Sequence, residues 1–301
     1  MGDIINLELF QNTIRTATPL VLAALGGLLT MHAGILNIGM EGMILMGAFF
    51  GVLGSYMFHS ALVGVLFALG AGLVMGLIFG VFVIDLKSDE FIIGIAINIF
   101  AGGLTVFLLR SIFGVKGAFS SADIMPLPDI HLPLLDKISF LDTLFNNHSL
   151  FIYISWLLVI LVYLLLYKTP YGYWLRGVGE HAEALETAGI KSKKVKYMAS
   201  IACGGFCGIA GAHLSLGYLT LFTENMSAGK GFIALAAIIF GQSNPIKVYG
   251  ATLLFGFFDA LGIRLQSVGI PSQFTQMIPY LATVIILFVV AQKKLMKRKT
   301  I

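Results

Sequence analysis

The chain is a succession of long, continuous apolar runs that are separated by short polar connections. A helix that crosses a bilayer needs about 20 such residues, whereas a transmembrane barrel would show alternating segments of about ten. The pattern therefore predicts an all-α, polytopic transmembrane helical bundle of about eight to ten spans. The apolar runs are 13–31, 35–57, 61–86, 91–113, 150–167, 197–221, 231–241, 247–265 and 274–291.

Two stretches indicate short or broken membrane segments. The run 231–241 is too short to cross alone, and the turn-forming residues GQSNP follow it at 241–245. The residues HAG at 32–34 interrupt the pattern between the first two runs. Because irregular backbone is tolerated at membrane depth where protein or water surrounds it, we expect such breaks inside a single transmembrane domain over 1–301.

The composition supports a membrane protein. Of 301 residues, 58% are hydrophobic and only 11% are charged, against about 25% charged in soluble proteins. The first dozen residues lack the pattern of a cleavable signal peptide, so we expect the first span to act as the targeting signal. Cys203 and Cys207 lie within an apolar run, and we interpret them as packing residues rather than as a disulfide or metal ligands.

The basic residues predict the orientation. Eleven of the 19 Lys and Arg residues lie either in 168–196 or in the tail after 291. Basic segments next to spans stay in the cytoplasm, so both segments, and with them the C-terminus, are expected there. This requires 231–241 to count as a crossing and puts the N-terminus outside. The loop 114–149 would then be the largest external element of a multi-pass protein in a bacterial cell membrane.

Glycines at four-residue spacing predict close helix packing. Such spacing lines glycines along one helix face and lets two backbones approach. We expect packing within one bundle, with a subunit-dimer face as the alternative. The spaced glycines are Gly72, Gly76 and Gly80, then Gly47 and Gly51, then Gly204 and Gly208.

A charged stretch at 176–197 stands out in this apolar chain. Its helical periodicity puts Ala184, Leu185 and Ala188 on one side and the acidic residues largely on the other. Gly189 is typical of a helix C-cap, and Ser192 is expected to cap the next helix. The segment 168–196 is thus predicted to be a cytoplasmic loop with its own amphipathic helix, which is either a solvated connection or a docking element for a soluble partner.

Several polar side chains interrupt the apolar runs and are candidates for a substrate pathway, because polar groups inside a membrane are costly. Each has a structural alternative. An Asn or a Thr can link helices, a His can be satisfied within the core, and an acid can pair with a buried cation. Glu224, Asn225 and Lys230 flank the short run and form a further candidate for an outer gate. The pathway candidates are Asn37, Glu41, Asn98, Thr105, His213 and Asp259.

Four segments resemble permeases of ATP-binding cassette (ABC) importers, in the group that carries branched-chain amino acids, ribose-type sugars and nucleosides. The resemblance covers most of 13–291, and the block FTENMSAGKGFIALAA with IPSQFTQMIPY is most similar to the nucleoside-uptake branch. The four segments are GVGEHAEALETAGI (177–190), HAGILNIGMEGMILMGA (32–48), GYLTLFTENMSAGKGFIALAAIIFG (217–241) and NPIKVYGATLLFGFFDALGIRLQ (244–266).

The resemblance implies a coupling helix that sits in a groove of an ATPase subunit. It also implies a second permease chain, similar or identical, an extracytoplasmic substrate-binding lipoprotein and a nucleoside substrate. The chain has no G-x-x-x-x-G-K-[ST] phosphate loop, so we expect ATP and magnesium on the partner ATPase and no cofactor on this chain. The implied coupling residues are Gly179, Glu180, Glu183, Ala184, Ala188 and Gly189.

Other functions remain open at this stage. The chain could be an ABC permease for a simple sugar or a branched-chain amino acid. It could also be an ion-coupled secondary transporter that uses Glu41 and Asp259, or a membrane scaffold that transports nothing. Motifs of hydrolytic enzymes, such as H-E-x-x-H and G-x-S-x-G, do not occur. An enzyme is therefore not expected, and neither is a nucleic-acid partner.

Overall fold

The computed structural model describes residues 7–131 and 146–267, together with 271, 274, 275, 277–279, 281, 282, 284 and 288. Within them the chain is almost entirely helical, with two pairs of two-residue strands. The helices are α1 Leu7–His32, α2 Met40–Phe58, α3 Ala61–Gly80, α4 Glu90–Phe113, α5 Leu150–Lys168, α6 Pro170–Thr187, α7 Ser192–Ala212, α8 Lys230–Phe240 and α9 Pro245–Ser267; the strands are β1 Ala118–Phe119, β2 Asp129–Ile130, β3 His148–Ser149 and β4 Phe222–Thr223.

Seven of these helices are long and apolar enough to cross a membrane: α1 to α5, α7 and α9. Two of them continue as π-helical segments, α3 over Val81–Asp85 and α7 over His213–Tyr218. The polytopic helical bundle is therefore confirmed. In the predicted span 274–291 the described residues are helical; the rest of that span and the basic tail at 293–299 lie outside the described residues, as does 132–145 of the predicted external loop.

The connections between helices contact one another at two opposite ends of the bundle. At the α6 end, α6 lies against the α1–α2 connection. At the β end, β1 pairs with β4 and β2 with β3, both antiparallel. The chain passes from the β end at Thr223 to the α6 end, where the carbonyl oxygen of Ser243 is 2.8 Å from His32 Nε2. The short helix α8 and the residues before it therefore make a crossing, as the charge-based topology requires.

The most buried helices form the centre of the bundle. Buried residues make up 78–83% of the apolar part of α1, α2 and α7, against 28–33% of the apolar part of α3, α4, α5 and α9. The outer four helices expose large apolar side chains such as Leu62, Ile99 and Leu157, as surfaces facing lipid or another chain must. A peripheral ring of apolar helices thus encloses the three helices that carry most of the buried polar groups.

Four of the spaced glycines, Gly72, Gly76, Gly204 and Gly208, lie where α3 crosses α7. A methyl group added at Gly72 would be 2.8 Å from Gly208 Cα, and one at Gly204 would be 2.8 Å from Gly76 Cα. Both distances are shorter than van der Waals contact. Only glycine at these positions allows the two backbones to come so close, so the prediction of close helix packing is confirmed.

Candidate functional site

The start of α8 is capped by a side chain from another helix. The preceding turn has left-handed backbone at Asn225 (φ 57°), Ala228 (φ 46°) and Gly229 (φ 83°), and Gly229 has no side chain with which to cap the helix. Instead, the Glu41 carboxylate accepts the N–H of Gly229 at 2.7 Å and that of Gly231 at 2.6 Å. These are two of the N–H groups that a helix leaves without intrahelical partners.

Two helix N-termini meet at this carboxylate. Glu41 lies in the first turn of α2 and is only 8% exposed. A methyl group on Gly231 would be 2.6 Å from Glu41 Cα and 2.9 Å from the Met40 carbonyl carbon, so glycine permits the contact. The positive ends of both helix dipoles therefore face one buried anion. This arrangement stabilises the half-length helix at its otherwise open end.

The other end of α8 is held as well. His32 Nε2 donates to the carbonyl oxygen of Ser243, in the turn between α8 and α9. A methyl group on Gly27 would be 2.7 Å from Ile238 Cδ1, so α1 runs directly beside α8. The short helix thus contacts α1 and α2 at its first turn and along its length, and the turn that follows it contacts α1.

A cavity of about 350 Å³ lies beside the start of α8. Its walls come from α1, the π-helical end of α7, α8 and α9. Lys230 Nζ and Asp259 Oδ2 form an ion pair at 3.7 Å with side chains only 17% and 25% exposed. Arg15, Thr16, Tyr218, Gln266 and Thr275 are the other polar residues of the lining, and the remainder is largely apolar.

A second cavity, of about 220 Å³, extends from the first toward the β end, and Arg15 and Tyr218 line both. His213 lines this second cavity and is 1% exposed. Its Nε2 is 3.4 Å from the Arg15 carbonyl oxygen, while its Nδ1 has no hydrogen-bond partner among the described residues. Buried polar atoms without partners are rare.

The predicted pathway residues therefore fall into two groups. His213 and Asp259 line the cavities, while Glu41 binds the adjoining turn. Asn98 accepts the Gly42 N–H at 2.8 Å and donates to the Ile38 carbonyl at 3.1 Å, which joins α4 to the start of α2.

Asn37 and Thr105 are also bound to protein. Asn37 Oδ1 accepts the Gly39 N–H at 3.0 Å, and its amide is 3.3 Å from Cys203 Sγ. Thr105 is fully buried and donates to the carbonyls of Ala101 and Gly102 in its own helix. A pathway role for Asn37, Asn98 and Thr105 stays a prediction, and the structure gives each a backbone-bonding partner.

Sequence reasoning missed Arg15 and Tyr218. Arg15 is the one Lys or Arg within the run 13–31, and a cation at such a position is a signal that could have found it. No comparable signal marks Tyr218, whose position depends on the π-helical turn at the end of α7. Cys203 and Cys207 are buried free cysteines, and their interpretation as packing residues stays a prediction. No cluster of three or more His, Cys, Asp or Glu that could hold a metal occurs in the described part of the chain.

At the opposite end of the bundle, α6 contains the predicted amphipathic helix but begins earlier, at Pro170, and kinks at His181 (φ −149°, ψ 85°). Gly189 has φ 83° and donates to the Glu186 carbonyl, while the Ile190 N–H reaches the Leu185 carbonyl, both at 3.0 Å. This Schellman motif confirms the glycine C-cap.

Ser192 does not cap α7, contrary to expectation. Its hydroxyl donates to the Ala182 carbonyl at 3.1 Å, and Lys191 occupies the cap position. The hydroxyl is therefore used to fold the end of α6 back onto the start of α7.

The predicted coupling residues lie on the exposed side of α6 and its cap. On the expected apolar side only Leu185 packs inward, against Gly177. Gly179 also lies close to the α1–α2 connection. A methyl group added there would collide with the His32 carbonyl oxygen and lie 2.9 Å from the Gly34 nitrogen. The kinked helix therefore presents small and acidic side chains outward while touching the α1–α2 connection. The exposed residues are Gly179, Glu180, Glu183, Ala184, Ala188 and Gly189.

Comparisons with known proteins identify the family. The model of the branched-chain amino acid transport system/permease component family matches residues 9–289. The guanosine ABC transporter permease protein NupQ of Bacillus subtilis is 35% identical over 91% of this chain and 89% of its own length. The nucleoside ABC transporter permease protein NupC of Lactococcus lactis is 32% identical over 92% and 90%.

A putative glucose ABC transporter permease protein, TsgC13 of Haloferax volcanii, is 34% identical over 87% of this chain and 79% of its own length. No solved structure matches the chain significantly. Because the family model covers almost the whole sequence, the chain belongs to the permease-component family of the branched-chain amino acid transport system and is an ABC transporter permease.

Proposed function

We propose that this chain is the membrane-spanning subunit of an ATP-driven importer of nucleosides. The observation that supports this most directly is its similarity along nearly the full length to permeases named for guanosine and nucleosides. The chain would supply the path, while a separate ATPase subunit binds ATP and magnesium. A second permease chain and an extracytoplasmic substrate-binding lipoprotein would complete the importer.

The cavity beside α8 suits a neutral, partly aromatic solute. Its volume of about 350 Å³ lies within the usual range for small-molecule sites, about 300–1,000 Å³. The lining combines apolar walls with hydrogen-bonding groups on Arg15, Tyr218 and Gln266. A nucleoside needs both, because its base has two apolar faces and its base edge and ribose need polar partners. We therefore propose that the cavity lies on the path, with Asp259 and His213 in its walls and Glu41 at the adjoining gate.

A simple sugar is the second candidate, because the putative glucose permease of Haloferax volcanii is 34% identical, between the 35% and 32% of the guanosine and nucleoside permeases. Uptake of labelled guanosine and uridine into cells with and without the chain separates the two. We expect uptake that unlabelled adenosine inhibits and that glucose, ribose and leucine leave unchanged. Inhibition by glucose, at concentrations where nucleosides have no effect, would contradict the nucleoside assignment. Loss of uptake on adding an uncoupler while ATP stays high would contradict ATP-driven transport.

The α6 end is proposed to face the cytoplasm and the ATPase. Glu183, Ala184 and Ala188 are exposed, and small apolar residues exposed next to carboxylates suit a surface that another protein covers. The C-terminus is proposed to be cytoplasmic as well, because its tail is rich in Lys and Arg. A thiol introduced by Lys193→Cys should resist an impermeant external reagent in intact cells, and one introduced by Asp129→Cys should react. The opposite pattern would reverse the topology.

The docking role is tested by Glu183→Lys combined with Ala184→Asp. We expect the ATPase subunit to be lost on purification, or ATP hydrolysis to continue without uptake, at unchanged membrane insertion. The matched control is Ala122→Asp combined with Asp123→Lys, an equally exposed pair near the β end, which should retain the ATPase. Normal ATP-dependent uptake in the first variant would rule out docking at α6.

Contacts within the chain suggest how motion at α6 reaches the path. Gly179 lies against the His32 carbonyl, and the His32 side chain binds Ser243 in the turn that follows α8. The first turn of α8 is bound by Glu41. A displacement of α6 would therefore act on the α1–α2 connection and, through it, on both ends of the short helix that borders the cavity.

A further inference from the structure

Tyr218 occupies a singular position at the β end of the bundle. It lines the 350 Å³ cavity, the adjoining 220 Å³ cavity and a third cavity of about 310 Å³ that includes Glu8, Asn12 and Arg264. Tyr218 is the one described residue that borders all three of these spaces. The residue is 37% exposed, although the π-helical segment that carries it is otherwise largely buried.

The ring of Tyr218 is free to accept a planar partner. Among the described residues that line the three cavities it is the one Phe, Tyr or Trp. It makes no ring-to-ring contact with another aromatic side chain of the described chain. Phe49 and Phe222, by contrast, pair at 5.2 Å, and Phe113 stacks on Phe119 at 3.8 Å. These four rings pack against one another, whereas the Tyr218 ring borders the three cavities.

The charges around the ring favour a neutral ligand. Lys230 pairs with Asp259 at 3.7 Å, and Arg264 lies 3.8 Å from Glu8. Arg15 donates to the Asn147 carbonyl at 3.0 Å, so its charge is directed partly at protein. The cavity walls thus contain donors and acceptors for a base edge without a concentrated charge of one sign.

We propose that the Tyr218 ring is the platform on which the base of a nucleoside stacks as it passes through these cavities. This rests on the proposed nucleoside specificity. Every base has a π face, so stacking tolerates different bases and suits a transporter of several nucleosides. Stacking of the base should therefore weaken when a substitution removes the ring, and it should be retained when a substitution removes only the hydroxyl.

The experiment measures the apparent KM for guanosine and uridine uptake in cells that produce the full importer. Tyr218→Leu should raise the KM for guanosine about tenfold, the effect expected when one base loses an aromatic partner. It should raise the KM for uridine less, because the pyrimidine has a smaller face. Tyr218→Phe should stay within about twofold of the wild type for both. Tyr163→Leu is the matched control, since Tyr163 lines none of the three cavities.

The change in the guanosine-to-uridine KM ratio separates stacking from general damage, which would lower uptake of both equally. A guanosine KM within about twofold of the wild type in Tyr218→Leu, or equal losses in the Leu and Phe variants, would overturn the platform. If the Leu variant is absent from the membrane, Tyr218→Met is measured with the same expected ratio. Wild-type cells that take up neither nucleoside would refute the proposed function itself, whereas normal wild-type uptake with an unchanged Leu variant refutes only this inference.

Discussion

Replacing Glu41 by Gln tests whether the carboxylate holds α8 in place. The carboxylate accepts one N–H with each oxygen, from Gly229 at 2.7 Å and from Gly231 at 2.6 Å. A glutamine side chain has nearly the same shape but only one acceptor oxygen. Its NH₂ group would therefore face one of the two N–H donors, and both the charge and one hydrogen bond would be lost at a site that is 8% exposed.

The magnitude follows from three contributions. Hydrogen bonds to a charged group contribute about 1.5–3 kcal/mol each, and neutral ones about 1 kcal/mol. At the lower end of these ranges, losing one bond and weakening the other costs about 2 kcal/mol. The lost interaction with two helix N-termini adds about 0.5–1 kcal/mol. A total near 3 kcal/mol shifts the equilibrium between docked and undocked α8 by about 100-fold.

The assay measures how often the start of α8 opens. Ser227, two residues before Gly229, is fully buried, and its hydroxyl has no hydrogen-bond partner among the described residues. Ser227→Cys therefore introduces a thiol with little disturbance, in a background where Cys203 and Cys207 are replaced by Ser. When opening and closing are fast compared with labelling, the rate of reaction with a maleimide follows the open population. Glu41→Gln should raise that rate about 100-fold.

Glu90→Gln is the matched control. Glu90, in the first turn of α4, also accepts a backbone N–H, that of Leu36 in the α1–α2 connection, at 2.9 Å. It accepts a single bond, so the oxygen of glutamine can replace it, and it does not contact α8. Its effect on labelling at 227 should stay below about threefold. If Glu41→Gln changes the labelling rate as little as the control does, the carboxylate does not hold the short helix and the gate assignment fails.

Two further substitutions test other contacts. Gly179→Ala should reduce uptake at least tenfold while ATP hydrolysis by the assembled importer continues, because the methyl group displaces α6 from the His32 carbonyl; Gly177→Ala meets only the flexible end of Leu185 and should transport normally. Asn98→Ala should lower stability in detergent by about 2 kcal/mol through two lost inter-helix hydrogen bonds. Thr105→Val, which removes bonds only within α4, should cost under about 1 kcal/mol, and equal unfolding midpoints for the two variants would contradict the bridging role of Asn98.

The helical architecture was predictable because membrane spans depend on local sequence. The run 150–167 became α5 over Leu150–Lys168, and 91–113 became α4 over Glu90–Phe113. Each span satisfies its own backbone hydrogen bonds, so an apolar run of sufficient length has one structural outcome. Gly189 was predictable for a similar reason, because a left-handed helix end favours glycine whatever the surrounding fold.

The roles of the polar residues were not predictable in the same way. Asn98 and Asp259 both look like unusual polar groups in an apolar run, yet Asn98 binds the backbone of α2 and Asp259 lines a cavity with Lys230. Which occurs depends on what the neighbouring helix presents, and that helix is distant in sequence. Glu41 is separated in sequence from Gly229 and Gly231, whose N–H groups it binds, by 188 and 190 residues. No local sequence pattern predicts a contact at that separation.

The short length of α8 explains the position of Glu41. With 11 residues, α8 is about 16 Å long, roughly half of a bilayer core of about 30 Å, so its N-terminal N–H groups end inside the protein. Water could satisfy them only if the site were permanently wet. Glu41 satisfies two of them without water, at the cost of burying a charge that two helix dipoles then stabilise. Because the interaction is lost if the helix moves by a few ångströms, a displacement of α1 and α2 can break this contact, as the proposed gate requires.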